Sequence, residues 1–320
     1  MERIFSPAAL DDLIAAPTAR GDVSVLRGSA MLAVDCSSTR PDTRTSDVLR
    51  GLPIVTVGVG GHHRAFDVIV TDESALSILA AAVAANPQAS VTLVQLLRLG
   101  DTLAPLDALV AESLAYSTLQ GGSEFARWLG ARGARVRRPE PHSPVDVLRE
   151  GDQLRVVLNR PRVHNLYNAA MRDLLVESLV VAAADPALRV EISGAGRSFC
   201  AGGDLAEFGS VKDTATAHLI RSSANAAPYL LAIADRLSVN VHGACVGAGI
   251  ELAAFASRVQ ATPDAFFQLP EVSMGLIPGA GGTVSITRRI GRQRTAWMAL
   301  TGARVDASTA LAWGLIDAID

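Results

Sequence analysis

The sequence predicts an α/β protein in two parts, and three observations carry that expectation. Short apolar runs of strand length alternate with stretches of helical periodicity along most of the chain. Hydrophobic residues make up 49% of the 320 positions and charged residues 19%, enough to bury a large core. A segment rich in Arg, Pro and Gly at 132–144 reads as a linker between an N-terminal α/β region, residues 1–144, and a second domain, residues 145–320.

The first 50 residues carry polar patches such as CSSTRPDTRTSD and one helix at 7–15, opened by Pro7. An apolar run at 54–59 reads as a strand. Gly58, Gly60 and Gly61 follow it, but His63 stands where a dinucleotide loop needs its third glycine, so no such loop is predicted. A strand at 67–70, a helix at 72–85 stopped by Asn86-Pro87 and a strand at 91–96 come next. Pro105 opens a helical zone with Leu106, Leu109, Val110, Leu114, Phe125, Trp128 and Leu129 at roughly helical spacing, broken at Gly121-Gly122. In the second part a strand at 154–158, a helix at 168–184 and a buried strand at 189–193 lead to a glycine-rich turn at 194–203. FDVIV, helix, AANPQASVTLVQ parallels LRVVL, helix, AAADPALRVEIS. Duplication of a degenerate unit would explain the parallel, as would the frequency of such units in α/β proteins.

Several classes are disfavoured. A net charge of −3 leaves no basic surplus for nucleic acid. Cys36, Cys200 and Cys245 suit neither a disulfide framework nor a CxxC metal site, which points to a reducing cytoplasm. The N-terminus lacks the pattern of a signal peptide, and the apolar run at 174–184, broken by Glu177 and Asp185-Pro186, falls short of the roughly 20 residues of a membrane span. A soluble, cytoplasmic protein is expected.

Two stretches carry chemistry. In SFCAGGDL, 198–205, a buried strand ends in Gly202-Gly203, where backbone N–H groups can approach a ligand closely. In NVHGACVGAGIELAAFA, 240–256, a strand end meets glycines and a helix starts near Gly249, presenting unpaired N–H donors. Facing each other, such donors would form an oxyanion hole; tight packing is the plain alternative for each turn. Glu251 in an apolar helix and Glu271 in FQLPEVSMGL have neighbourhoods that call for a function or a partner, the quieter readings being a helix N-terminal charge and a loop salt bridge.

These residues belong to a longer series: LNRPRVHNLYNAAMRDLL (158–175), SFCAGGDLAEF (198–208), VHGACVGAGIELA (241–253), FFQLPEVSMGLIPGAGGT (266–283) and LTGARVDASTALAWGLIDAI (300–319). The series, about half the chain, resembles the crotonase, or enoyl-CoA hydratase/isomerase, superfamily. The resemblance implies a crotonase-like spiral of ββα units preceded by an additional α/β region. It places the hole donors at Gly203 and Ala248 and the catalytic carboxylates at Glu251 and Glu271, 20 residues apart as in the hydratase branch. Arg162, His164, Ala201, Asp204 and Gly279 are the implied substrate-binding positions, with Arg160 beside the first two as a candidate phosphate contact. The implied reaction is addition of water to a 2-enoyl-CoA by a homo-oligomer, trimer or hexamer, with no metal and no cofactor beyond the CoA of the substrate. Double-bond isomerisation, thioester hydrolysis or noncatalytic acyl-CoA binding on the same fold are the alternatives.

His242, Cys200, Cys245, Trp297, Trp313 and Ser257 are expected to be structural. Members of the family continue with helices beyond the WGLID motif, whereas this chain ends at Asp320. Residues 106–139 loosely resemble those tail helices, so Leu109, Leu114, Phe125 and Trp128 are expected to pack on the catalytic part in their place; an unrelated helical module is the alternative.

Overall fold

The computed structural model describes residues 4–16, 18–37, 41–133 and 142–320. Four parallel strands open the chain in the order β1 (Ile4–Phe5), β2 (Met31–Asp35), β3 (Val55–Val59), β4 (Val68–Val70). Side chains alternate across this sheet, as the two-residue period of a strand requires. Leu32, Val34 and Ile54 join a small core with Leu10, Leu49 and Phe66, while Ala33, Val55 and Val57 on the other face join the main core.

The main sheet has six strands in the order β13 (Ala318–Ile319), β10 (Arg258–Ala261), β8 (Leu237–Val241), β7 (Arg189–Gly194), β6 (Gln153–Leu158), β5 (Val145–Glu150). All neighbours are parallel except β5 and β6. A third sheet sets β9 (Ala244–Val246) parallel to β11 (Phe266–Gln268), with β12 (Val305–Asp306) antiparallel at its edge. The chain thus passes from β8 in one sheet to β9 in another across a two-residue corner, and that corner leads into the candidate site.

Four helices follow the first sheet in the chain: Glu73–Ala85 and Pro87–Gly100 pack on it, whereas Pro105–Gln120 and Ser123–Arg132 pack on the C-terminal part. Residues 91–96, expected as a strand, lie inside Pro87–Gly100. Pro87 occupies a first-turn position, and the buried Ser90, Val91, Leu93, Val94 and Leu97 follow three- and four-residue spacing. The β-branched VTLV run hid that period. The suggested duplication therefore fails at its second strand. The buried strand expected to end in Gly202-Gly203 does not form, since β7 ends at Gly194 and only single bridges at Cys200 and Gly203 follow. The other expected elements form within two residues of their expected limits, and the 248–253 helix begins at Ala248. The central part of the expected linker, 134–141, lies outside the described residues.

The N-terminal region is not a separate globule. One core runs from Val57, Leu93, Leu109 and Phe125 to Leu154, Ile250, Ile286 and Ile316. A buried charge cluster adds to the seam: Asp67, 1% exposed, accepts from Arg98 Nε at 2.8 Å and Nη2 at 2.5 Å and from Arg292 Nη1 at 2.9 Å. Of the four residues expected to pack on the catalytic part, Leu109 and Phe125 are buried and Trp128 is half-buried, stacked on Phe125 at 5.8 Å and 6.1 Å from Phe208. Leu114 is 51% exposed and does not share in that packing. Among the described residues no single helix is long and apolar enough to cross a membrane.

Candidate active site

The site begins where two chain segments run side by side. Cys200 forms a parallel bridge with Cys245: the Cys200 amide donates to the Ala244 carbonyl at 3.1 Å, and the Val246 amide to the Cys200 carbonyl at 2.9 Å. Each segment then turns at a glycine of positive φ, Gly202 at 101° and Gly247 at 48°. Most side chains would be strained there. The next residues are Gly203 and Ala248, each three positions past its bridged cysteine. Among the described residues neither amide donates to a protein acceptor. The Ala248 amide belongs to the first turn of a helix, where no intrahelical acceptor exists. Two free amides at matched positions on adjacent turns can receive one oxygen that becomes negative.

Glu251 follows in the first turn of the 248–253 helix and is 2% exposed. Its Oε2 accepts from the Ala280 amide at 2.7 Å and the Gly282 amide at 2.9 Å. A Cβ at Gly282 would stand 2.5 Å from Glu251 Cγ, so the GAGG turn needs a glycine there to close on the carboxylate. Glu271 is 8% exposed, and its Oε2 is buried with no hydrogen-bond partner. Its Oε1 lies 2.5 Å from where a Cβ on Gly247 would be, which puts the carboxylate against the turn that presents the Ala248 amide.

Burial pushes both carboxyls up, Glu271 to about 8 and Glu251 well above the ordinary carboxylate range, with the charges of Glu271 and Glu112 acting on Glu251 in the same direction. The charge of Glu271 works against ionisation of Glu251, and two such coupled carboxylates in a low-dielectric site do not readily both ionise. The two amides on Glu251 favour the charge there, and the orphaned oxygen of Glu271 favours the proton.

A third carboxylate enters from the N-terminal region. Glu112, on the Pro105–Gln120 helix, is 2% exposed and accepts from the Gly281 amide at 2.8 Å, the Thr283 amide at 3.0 Å and Thr283 Oγ1 at 2.6 Å. One turn of that helix onward, the Tyr116 ring stands 2.5 Å from where a Cβ on Gly279 would be. Sequence reasoning did not single out either residue. An acidic side chain within an apolar helical zone was the available signal for Glu112.

The remaining expected positions divide. Gly279 lies against the Tyr116 ring. The Ala201 amide donates to the His164 carbonyl at 2.9 Å, and His164 Nδ1 shares a hydrogen bond with Ser198 Oγ at 3.0 Å, which ties the exposed 161–164 turn to the segment leading to Gly203. Arg162 is exposed on that turn. Arg160 and Asp204 face inward and pair at 3.0 Å, and Asp204 Oδ1 also accepts from the Ala206 amide. This pair braces the segment that carries Gly203; a phosphate contact from Arg160 is not what the geometry offers. His242 bonds the Gly196 carbonyl, Ser257 the carbonyls of Asp235 and Leu237, and the three cysteines are buried thiols.

Comparison with known proteins agrees with this arrangement. A family model described as enoyl-CoA hydratase/isomerase matches residues 152–320. The 2,3-dehydroadipyl-CoA hydratase of Escherichia coli (strain K12) is 37% identical over 175 residues, 54% of this chain and 68% of that protein. The mitochondrial enoyl-CoA hydratase of Pongo abelii is 32% identical over 167 residues, 51% of this chain and 56% of that protein. A crystal structure of an enoyl-CoA hydratase/carnithine racemase from Magnetospirillum magneticum superposes with a TM-score of 0.51 at 26% identity, over 56% of this chain and 68% of that one. The chain thus spans between about half and two thirds of the relatives it matches. The matched stretch takes in more than half of this chain and holds both turns and both inward-facing glutamates that follow them, and on that ground the chain belongs to the enoyl-CoA hydratase/isomerase family of the crotonase superfamily.

Proposed function

We propose that this protein adds water across the double bond of a 2-enoyl-CoA thioester. The observation that carries the reading is the Glu271 carboxyl, buried with one oxygen unpartnered beside two amides that also lack acceptors. Leaving such groups unsatisfied costs about 1–3 kcal/mol each, a cost that a bound thioester and water would remove. The names of the relatives, two of them hydratases, support the same reading.

In the proposed reaction the thioester oxygen accepts from the Gly203 and Ala248 amides and takes up negative charge as the enolate forms. Glu251, ionised, accepts a proton from water, and the water oxygen bonds to the β-carbon. Glu271, neutral, donates its proton to the α-carbon. One H and one OH are added, the π bond is lost, and the pair is left with its proton on Glu251, from which it returns to Glu271 before the next turnover. No electrons leave the substrate, so the step calls for no redox partner, and CoA enters only as part of the substrate. Product analysis with a panel of 2-enoyl-CoA thioesters tests this. A 3-hydroxyacyl-CoA product is expected; a shifted double bond or free CoA as the sole product would sink the hydratase reading.

A further inference from the structure

We infer that Glu112, supplied by the N-terminal region, is a positioning residue of the active site, which holds the 280–283 turn in the place Glu251 depends on. The inference rests on the hydratase reading above. Four successive amides of that turn are shared alternately between two carboxylates: those of Ala280 and Gly282 donate to Glu251, those of Gly281 and Thr283 to Glu112. Gly281, at φ 103°, allows the alternation, and a Cβ there would lie 2.7 Å from the Phe255 ring. The turn is clamped from both sides. Releasing the Glu112 side would free the amides that orient the Glu251 carboxylate and with it the water it activates.

A helix needs no charge to pack on a turn, and a third carboxylate near two others raises the cost of burying all of them. Here it has three hydrogen-bond donors in return. Groups facing it are Tyr116 on its own helix, Glu251, Glu271 and Arg221. Arg221, from the Thr214–Ser223 helix, lies 4.5 Å over the Tyr116 ring and is held by Ser117 and Gln120. The Glu112 charge raises the carboxyls of both Glu251 and Glu271.

The test uses the full chain. Glu112→Gln should lower kcat for crotonyl-CoA hydration about 10- to 100-fold, the scale of a displaced catalytic group, with a smaller change in KM. Removing the charge should also move the alkaline limb of the pH profile to lower pH, which loss of packing alone would not do. Thr283→Val removes one bond and keeps the charge; it should lower kcat less and leave the limb in place. A folded E112Q with parental kcat and pH profile overturns the inference, and if E112Q does not fold, parental kcat in T283V overturns it. Carboxyl 13C titration of glutamate-labelled protein separates this inference from the one it rests on. A parent that hydrates nothing, whose buried glutamates still titrate lower in E112Q, sinks the hydratase reading alone; an active parent with an unshifted titration in E112Q sinks the role of Glu112.

Discussion

Glu271 shows how one buried group sets activity and stability against each other. Glu271→Gln should reduce hydration about 100-fold or more, the usual scale for a general acid, with little change in acyl-CoA binding; kcat and a binding isotherm check it. The same group titrates near 4.5 when unfolded and at about 8 when buried. The folded chain therefore holds a proton that the unfolded chain has released between those values, and stability from this group is fully present below the lower one and lost as pH rises to the upper. E271Q has no such dependence, so its thermal midpoint should gain on the parent's between pH 5 and 8; parallel midpoints would show that Glu271 is ionised throughout. Gly247→Ala should abolish turnover, since φ is 48° and a Cβ would press on Glu271 Oε1. Glu251 and Glu271 were legible as buried carboxylates because charged groups among apolar residues are conspicuous; the catalytic role proposed for them came from the family resemblance. Glu112 has the same signature, but its partners lie 169 and 171 residues away, and no local pattern tells which turn a helix will meet.

The helices of the N-terminal region show which element-level signals hold. Caps and prolines set boundaries well: Asp72 caps the 73–85 helix through the Ala75 amide, and Pro87 and Pro105 sit in first turns. The β-branched VTLV run is what misled at 91–96, because such an apolar run reads as a strand until its length is known. Arg98 on that helix, Asp67 before β4 and Arg292 on the Arg292–Thr301 helix share one buried cluster. Asp67→Asn should cost about 3–5 kcal/mol, because the buried Arg98 guanidinium loses its counter-charge and Arg292 is left with only Asp101, 3.3 Å from its Nε. Arg50→Ala, whose partner Asp101 is 35% exposed, should cost about 1 kcal/mol or less. Urea denaturation of the two variants checks the contrast, and similar midpoints would show that the cluster is weak.

At the scale of the molecule, the core that spans both regions predicts the behaviour of fragments. Residues 145–320 alone would expose the surface that Leu109, Phe125 and Trp128 cover, and that fragment should aggregate unless residues 1–144 are added in trans. A soluble, fully active 145–320 fragment would make the N-terminal region an appendage. We expect the full chain to run as a trimer or hexamer in light scattering, with Val147 and Leu148 on β5 and Val180 and Val181 on the 169–184 helix among the apolar side chains left exposed for contact between copies. By itself the sequence determined the glycine turns, the positions of the two inward-facing glutamates, the family and most strand and helix limits, because these depend on residue type and spacing within a few turns of chain. Tertiary structure alone decided that 87–100 is a helix, that Leu114 stays outside and that Glu112 reaches the 280–283 turn. Those outcomes depend on which faces meet across more than 100 residues of intervening chain, where the free energy comes from joint burial and no single segment carries the signal.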